Sequence, residues 1–323
     1  MEEIDLKDRK ILYELDLNCR QSNSQIGKKV GLSRKVVDYR IKRMQDEGII
    51  KNFWASINTF KLGYDVFRIY ITLQYVSSDV KKQIVKHFTD YKNTWAIKSA
   101  KGEINLAAVI WVKNNYEFYQ FWDETLDRFE DYFAKTIISV YIKAFCYKKS
   151  YLLPDKKETN NREMYRLQSG IEPYKIDEID YKILNEIALN ARIPLIELSG
   201  KLGCSSQTIK YRLKNLEKSD VIQAYRVNIE YSKIGLQHFK LDIYLSEHKK
   251  KNTIWNYLKE KPFSEYLNVT VGWCDLEPEF ILKNVEDLDN IFNELEKKFP
   301  KSIKKWNFWI TEESYKERTI PEL

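Results

Sequence analysis

Histidine is almost missing from this chain: His87, His238 and His248 are the only three in 323 residues, and none falls in an HxxxR-like grouping. With no glycine-rich phosphate loop and no serine nucleophile motif either, little is left for acid–base, phosphoryl or acyl chemistry, and the expectation is a protein that is not an enzyme. Cysteine is scarce too. Cys19, Cys146, Cys204 and Cys274 are scattered, with no CxxC pair and no metal-like spacing. They read as free thiols in a reducing cytosol, not as a disulfide framework or a zinc site. The longest apolar run, Leu106–Val112, is far too short to span a bilayer. The opening MEEIDLKDRK carries charge where a signal peptide carries apolar residues, so a cytoplasmic protein without a membrane partner is expected. Ten glycines and seven prolines predict regular elements joined by short loops.

What the chain does have is charge and a repeat. Apolar residues make up 43% and charged residues 31%, with a net charge of +7, enough for several cores and compatible with a polyanionic partner. Asp8 and Asp180 anchor an alignment at a constant offset of 172 residues, which runs without a gap from Ile4/Ile176 to Leu73/Leu245. Along it fall Asp5/Asp177, Ile11/Ile183, Asn18/Asn190, Arg20/Arg192, Gly31/Gly203, Ser33/Ser205, Tyr39/Tyr211, Arg40/Arg212 and Gly63/Gly235. KGEINLAAVIWVKN (Lys101–Asn114) then matches VGWCDLEPEFILKN (Val271–Asn284) at an offset of 170. The chain is an internal duplication.

Each copy begins with three short helices. Asp5 caps the first, whose Leu6, Ile11, Leu12 and Leu15 make one apolar face. Gly31 turns the chain after the second, Ser33 caps the third, and Val37, Ile41 and Met44 form its buried stripe, mirrored by Ile209, Leu213 and Leu216. Gly48 ends the third helix in the left-handed region, where copy two has Asp220. Two helices across a tight glycine turn with a third behind make a helix-turn-helix. On its outer face copy one presents Ser33, Arg34, Lys35, Asp38, Tyr39, Arg40, Lys42 and Arg43. Copy two presents Ser205, Ser206, Gln207, Thr208, Lys210, Tyr211, Arg212 and Lys214. A solvated helix face is the plain alternative, but turn, caps, stripe and duplication coincide with this basic set, which points to double-stranded DNA.

The rest of each copy alternates strands and helices in the order βαββαβ, a ferredoxin-like sandwich. The fold class is therefore α+β: two tandem units, each a winged helix-turn-helix followed by a sandwich. The expected boundaries are 1–55 and 56–152 for copy one, a polar linker at 153–175, then 176–230 and 231–323 for copy two.

IDLKDRKILYEL, VGLSRKVVDYRIKRMQDEGII and the GEINL turn, with IDEIDYKILNEI, LGCSSQTIKYRLKNLEKSDVI and GWCDL in copy two, resemble the Lrp/AsnC family of transcription regulators. The resemblance covers nearly the whole chain outside the linker. It implies that the two units form a covalent pseudo-dimer, in a family whose single-unit members dimerise through their sandwich domains, and that this chain can also homo-oligomerise through those domains. It also implies an amino-acid effector at the turn written Gly-x-x-Asp, occupied here by Gly102/Asn105 and Gly272/Asp275. Asn105 lacks the carboxylate that would hold an ammonium group, and a plain hairpin role competes at both turns. No metal or other cofactor is expected. Two other readings stand beside the regulator: a siroheme-decarboxylase-like enzyme of the same architecture, and an interaction module whose second head has lost DNA.

Overall fold

Residues 4–153 and 161–322 are described by the computed structural model. Copy one runs α1 (Leu6–Leu17), α2 (Asn23–Val30), α3 (Arg34–Asp46), β1 (Ile50–Ile57), β2 (Asp65–Leu73), α4 (Ser78–Asp90), β3 (Thr94–Gly102), β4 (Leu106–Val112), α5 (Asn115–Phe129) and β5 (Phe133–Tyr147). A further strand, β6 (Glu163–Gln168), precedes copy two. Copy two runs α6 (Glu178–Leu189), α7 (Leu195–Leu202), α8 (Ser206–Lys218), β7 (Ile222–Ile229), β8 (Gln237–Leu245), α9 (Lys251–Lys259), β9 (Ser264–Val271), β10 (Glu277–Leu282), α10 (Val285–Lys298) and β11 (Ile303–Glu317).

The helix starts follow from capping chemistry. Asp5 accepts from the Asp8 amide at 2.8 Å and Asp8 accepts from the Asp5 amide at 3.1 Å, and Asp177 and Asp180 repeat this capping box at the start of α6. Such a box satisfies two of the amides that a helix N-terminus leaves without partners. Ser33 and Ser205 cap α3 and α8 with one bond each, their hydroxyls accepting from the Val36 and Thr208 amides. The reversal after α3 needs a positive φ: Gly48 adopts 71° and Asp220 adopts 57°.

The two sandwiches do not remain separate sheets. In copy one the strand order is β5-β2-β4-β3 and in copy two β11-β8-β10-β9; antiparallel pairing of β3 with β11 and of β5 with β9 closes all eight into a barrel. Closure removes the exposed strand edges that two isolated sandwiches would carry. Strand residues alternate across the barrel wall. Phe67, Ile69, Ile97 and Ile110 pack outward under α4 and α5, and Phe239, Leu241, Ile243 and Phe280 do so under α9 and α10. The inward positions include Arg68, Tyr70, Tyr141, Lys240, Glu277 and Glu279, all buried or nearly so.

The helix-turn-helix heads are joined just as tightly. β1 pairs with β7 in a two-stranded antiparallel ribbon in which Trp54 faces Arg226. These are equivalent positions of the two copies, so the pseudo-two-fold axis passes between them. The head–head hydrogen bonds obey the same axis: the Cys19 amide donates to Tyr225 O and the Ala191 amide to Phe53 O, each at 2.8 Å. Apolar residues of both heads form one shared core, from Ile11, Val37 and Met44 to Ile183, Leu213 and Leu216. One side of the interface carries a fully buried ion pair, Arg226 to Asp16, with two bonds of 2.8 and 2.9 Å. Its symmetry-related positions hold Trp54 and Ala188 instead.

Two expectations change. The stretch 153–175 is not simply a linker, because Glu163–Gln168 adds β6 to the edge of β5; residues 154–160 of it lie outside those described. Tyr165 and Leu167 are buried at alternate positions, and Arg162 donates to the carbonyls of Lys148, Lys259, Lys261, Pro262 and Ser264. The shared core and ribbon set the relation between the heads directly. The expected boundary at residue 55 cuts through β1.

Candidate nucleic-acid interface

The expected contact residues fall into two groups. On α3, Arg34, Lys35, Tyr39 and Lys42 are exposed; Arg34 makes only a loose 3.5 Å pair with Asp38. Asp38 also accepts from Asn23 on α2. Arg40 and Arg43 are spent internally. Arg40 bonds Asp5 at 2.8 Å and Asp8 at 2.9 Å, and Arg43 bonds Asp8 at 2.6 Å. On α8, Arg212 repeats the clamp, bonding Asp177 and Asp180 at 2.8 Å each. Hydrogen bonds donated to these carboxylates, then the carboxylates' charge, raise the pKa of Arg40 and of Arg212. The clamps tie each third helix to the start of its first helix. A clamped guanidinium can still turn a free edge to a phosphate, but its first role is to hold the head together.

Gln207, Lys210, Tyr211 and Lys214 remain exposed on α8. Thr208 shares a bond with the capping Ser205, and Ser206 donates to Ser199 at 3.1 Å. Tyr39 and Tyr211, equivalent by the repeat, are each 66% exposed. A large ring held in water on the outer face of a basic helix can pack on sugar or base.

The expected effector turns already have structural work. Asn105 Oδ1 accepts from the Leu73 amide and Asp275 Oδ2 from the Leu245 amide, both at 2.8 Å. Each binds its turn to the end of a neighbouring strand, which an amide oxygen does as well as a carboxylate. Gly102 (φ 132°) and Gly272 (φ 100°) lie where the copies meet; a Cβ on either would come within 3.0 Å of a carbonyl, Phe308 O or Ile138 O. The hairpin reading accounts for all four residues.

Sequence reasoning did not foresee what lies between heads and barrel. A cleft of about 310 Å³ is walled by the β1·β7 ribbon on one side and the barrel mouth on the other. Trp54, Trp95, Tyr141, Tyr231 and Trp309 line it, together with Lys98, His238, Glu279 and Glu317. Deeper in, Glu277 bonds Arg68 at 2.6 Å and Lys240 at 2.5 Å across the barrel. Burial alone would raise the pKa of Glu277, but Lys240 and Arg68 hold it down to about 2. The available signal was a charge at an inward position of an apolar strand, as in VFRIYITL and LEPEFIL.

Heads of this geometry define a winged helix-turn-helix DNA-binding protein, and a family described as winged helix-turn-helix DNA-binding matches at residues 4–51 and again at 176–223. A helix-turn-helix-type transcriptional regulator of Pyrococcus abyssi is 30% identical over 116 residues, which is 35% of this chain and 77% of that protein. The LrpA regulator of Pyrococcus horikoshii is 28% identical over 113 residues, 34% of this chain and 77% of its own length. The chain belongs to the Lrp/AsnC family of DNA-binding transcription regulators, with the family unit present twice. Its fold, over 96% of the chain and 92% of the other, is also that of the siroheme decarboxylase NirDL, at a TM-score of 0.62 and 12% identity. Among the described residues no helix is long and apolar enough to cross a membrane.

Proposed function

We propose that this regulator reads one asymmetric DNA site with two unlike recognition helices held at fixed spacing, and that a small molecule modulates the contact. Arg34, Lys35, Tyr39 and Lys42 on α3 contact one half-site; Gln207, Lys210, Tyr211 and Lys214 on α8 contact the other. Ser33 and Ser205, at the helix N-termini, are placed for phosphate. Arg40, Arg43 and Arg212 act mainly by positioning their helices. The observation that carries this reading is the pseudo-two-fold ribbon, which joins heads whose exposed side chains differ. Operator symmetry mirrors protein symmetry, so unlike heads favour imperfect palindromes with half-sites about one or two helical turns apart.

Selection of bound fragments, followed by fluorescence anisotropy over a range of salt, tests this. The expected result is two different half-sites. The Arg34→Ala/Lys35→Ala/Lys42→Ala variant should lower the salt slope by roughly one unit per phosphate contact removed. A perfect palindrome, or an unchanged slope with the fold intact, would overturn it. We read the chain as non-catalytic, in line with its regulator relatives. Because a siroheme decarboxylase shares the fold, an iron-tetrapyrrole absorbance titration is the control, and no saturable spectral shift is expected.

A further inference from the structure

We infer that the two heads do not read DNA independently: Arg192 of head two positions Asp38 on the recognition helix of head one, and Asp38 so held reads a cytosine amino group. Base reading by Asp38 rests on the regulator function proposed above and deepens it.

The contact crosses from one copy to the other. Arg192 lies in the turn after α6 whose Ala191 amide is bonded to Phe53 O, and its guanidinium sits over the Phe53 ring, 5.1 Å from the centroid. From there Nη2 donates to Asn23 Oδ1 at 2.7 Å, and Asn23 Nδ2 donates to Asp38 Oδ1. Chemistry fixes the sense of this relay. A guanidinium can only donate and a carboxylate can only accept, so the amide between them has one orientation that serves both. The three residues line a groove of about 300 Å³ between the heads, together with Lys42 and Gln45 of α3.

The pseudo-symmetric side has no such relay. Arg20, the counterpart of Arg192, donates instead to the backbone carbonyl of Ala191 at 2.8 Å. The counterparts of Asn23 and Asp38 are Leu195 and Lys210, and a leucine passes no hydrogen bond on. Coupling by side chains therefore runs one way, from head two into the recognition helix of head one.

The task of Asp38 follows from its charge. A carboxylate on the outer face of a basic helix is repelled by every phosphate, so it is favoured only where it meets a donor. In the major groove the donors are the amino groups of cytosine and adenine; cytosine N4 suits a carboxylate, whereas adenine sets its N7 acceptor beside its amino group. Asp38 keeps an oxygen for this contact. Oδ1 is taken by Asn23, Oδ2 stands 3.5 Å from Arg34 Nε, and the side chain is 43% exposed. A side chain already held by Asn23 loses less freedom on meeting a base than one that swings in water. The relay thus turns a carboxylate that merely repels phosphate into one that discriminates between bases.

The test is selection of bound fragments with the full chain and its variants, then anisotropy on the selected site and its single-base changes. Wild type should demand cytosine at one position of the half-site read by α3, with a penalty of about fivefold or more for another base, the ordinary cost of one mismatched pair. Asp38→Ala should abolish that demand. Arg192→Ala should reduce it to about twofold or less, although Arg192 touches no base, and should leave the other half-site and the salt slope as in wild type. Arg192→Lys, which can still donate to Asn23, should restore part of the demand. The Arg192→Ala/Asp38→Ala variant should lose no more than Asp38→Ala alone, because both act through one carboxylate. Should Arg192→Ala fail to fold, Asn23→Leu breaks the same relay with the residue that copy two carries there. An Arg192 with a structural role only would lower affinity for all sequences alike, and that result overturns the relay. So does an unchanged cytosine demand in Arg192→Ala or Asn23→Leu, or its survival in Asp38→Ala. A wild-type chain that selects no duplex overturns the regulator reading as well, whereas selective binding untouched by these variants overturns the relay alone.

Discussion

Exchanging Asp16 for leucine should be among the most damaging single changes in the heads. Arg226 is fully buried, donates to both Asp16 oxygens at 2.8 and 2.9 Å, and otherwise meets Cys146, the Tyr147 carbonyl and Tyr266. Removing the carboxylate strands a guanidinium that cannot deprotonate and has no water to turn to. Breaking a buried pair in this way costs about 3–5 kcal/mol, whereas replacing both partners by apolar side chains is often neutral. The pseudo-symmetric side of the same interface, with Trp54 and Ala188, already does without an ion pair. Asp16→Leu should therefore lower head stability by about 3–5 kcal/mol, Arg226→Met should cost a comparable amount, and the double variant should recover at least half of either loss. Urea unfolding followed by circular dichroism and tryptophan fluorescence reads all three. A single-variant cost below about 1 kcal/mol, the range of exposed pairs, would refute the reasoning; so would a double variant no better than the worse single.

Arg40→Ala, which releases α3 from Asp5 and Asp8, should lower the thermal midpoint of the heads while changing the DNA salt slope less than Lys35→Ala does. The Gly102→Ala and Gly272→Ala variants should each be destabilised, because the new methyl meets a carbonyl at the copy–copy seam as well as a positive φ, and denaturant midpoints will show it. Acid should loosen the barrel: Glu277 has its pKa depressed, so its contribution is complete above the ordinary glutamate value and is lost as pH falls toward about 2. Thermal midpoints measured from pH 5 downward should fall steeply, and more shallowly in a Glu277→Gln variant.

The parts that could be read from the sequence are local ones. Caps at Asp5, Ser33 and Ser205, the turn at Gly31, and the stripe of Val37, Ile41 and Met44 lie within a few residues of the elements they define, so their chemistry is written in order. The βαββαβ alternation was readable for the same reason. Ribbon and barrel closure were not, because Trp54 finds Arg226 across 172 positions and Thr311 finds Ala100 across 211, and nothing local to either strand names its partner. β6 escaped because Met164, Tyr165 and Leu167 are three apolar residues in a polar run, too few for a period. At the candidate interface residue type was legible but availability was not: Lys35 and Arg40 look equally basic in sequence, and only the fold shows that Asp5 and Asp8 have claimed Arg40.

The barrel interior gives the duplication a direction. Copy one contributes Arg68 and Lys98, and where copy two has Glu277 and Glu279 it has Ala107 and Val109. Copy two supplies the carboxylates, and Glu277 answers cations from both halves. Two first halves paired together would enclose like charges with nothing to neutralise them, and two second halves would enclose a surplus of acids. Each half has thus become an obligate mate for the other and a poor partner for itself. Once the interior charges had been divided in this way, a return to a single-unit protein that pairs with its own copies would require several simultaneous changes inside a closed barrel, so the fusion works as a one-way step.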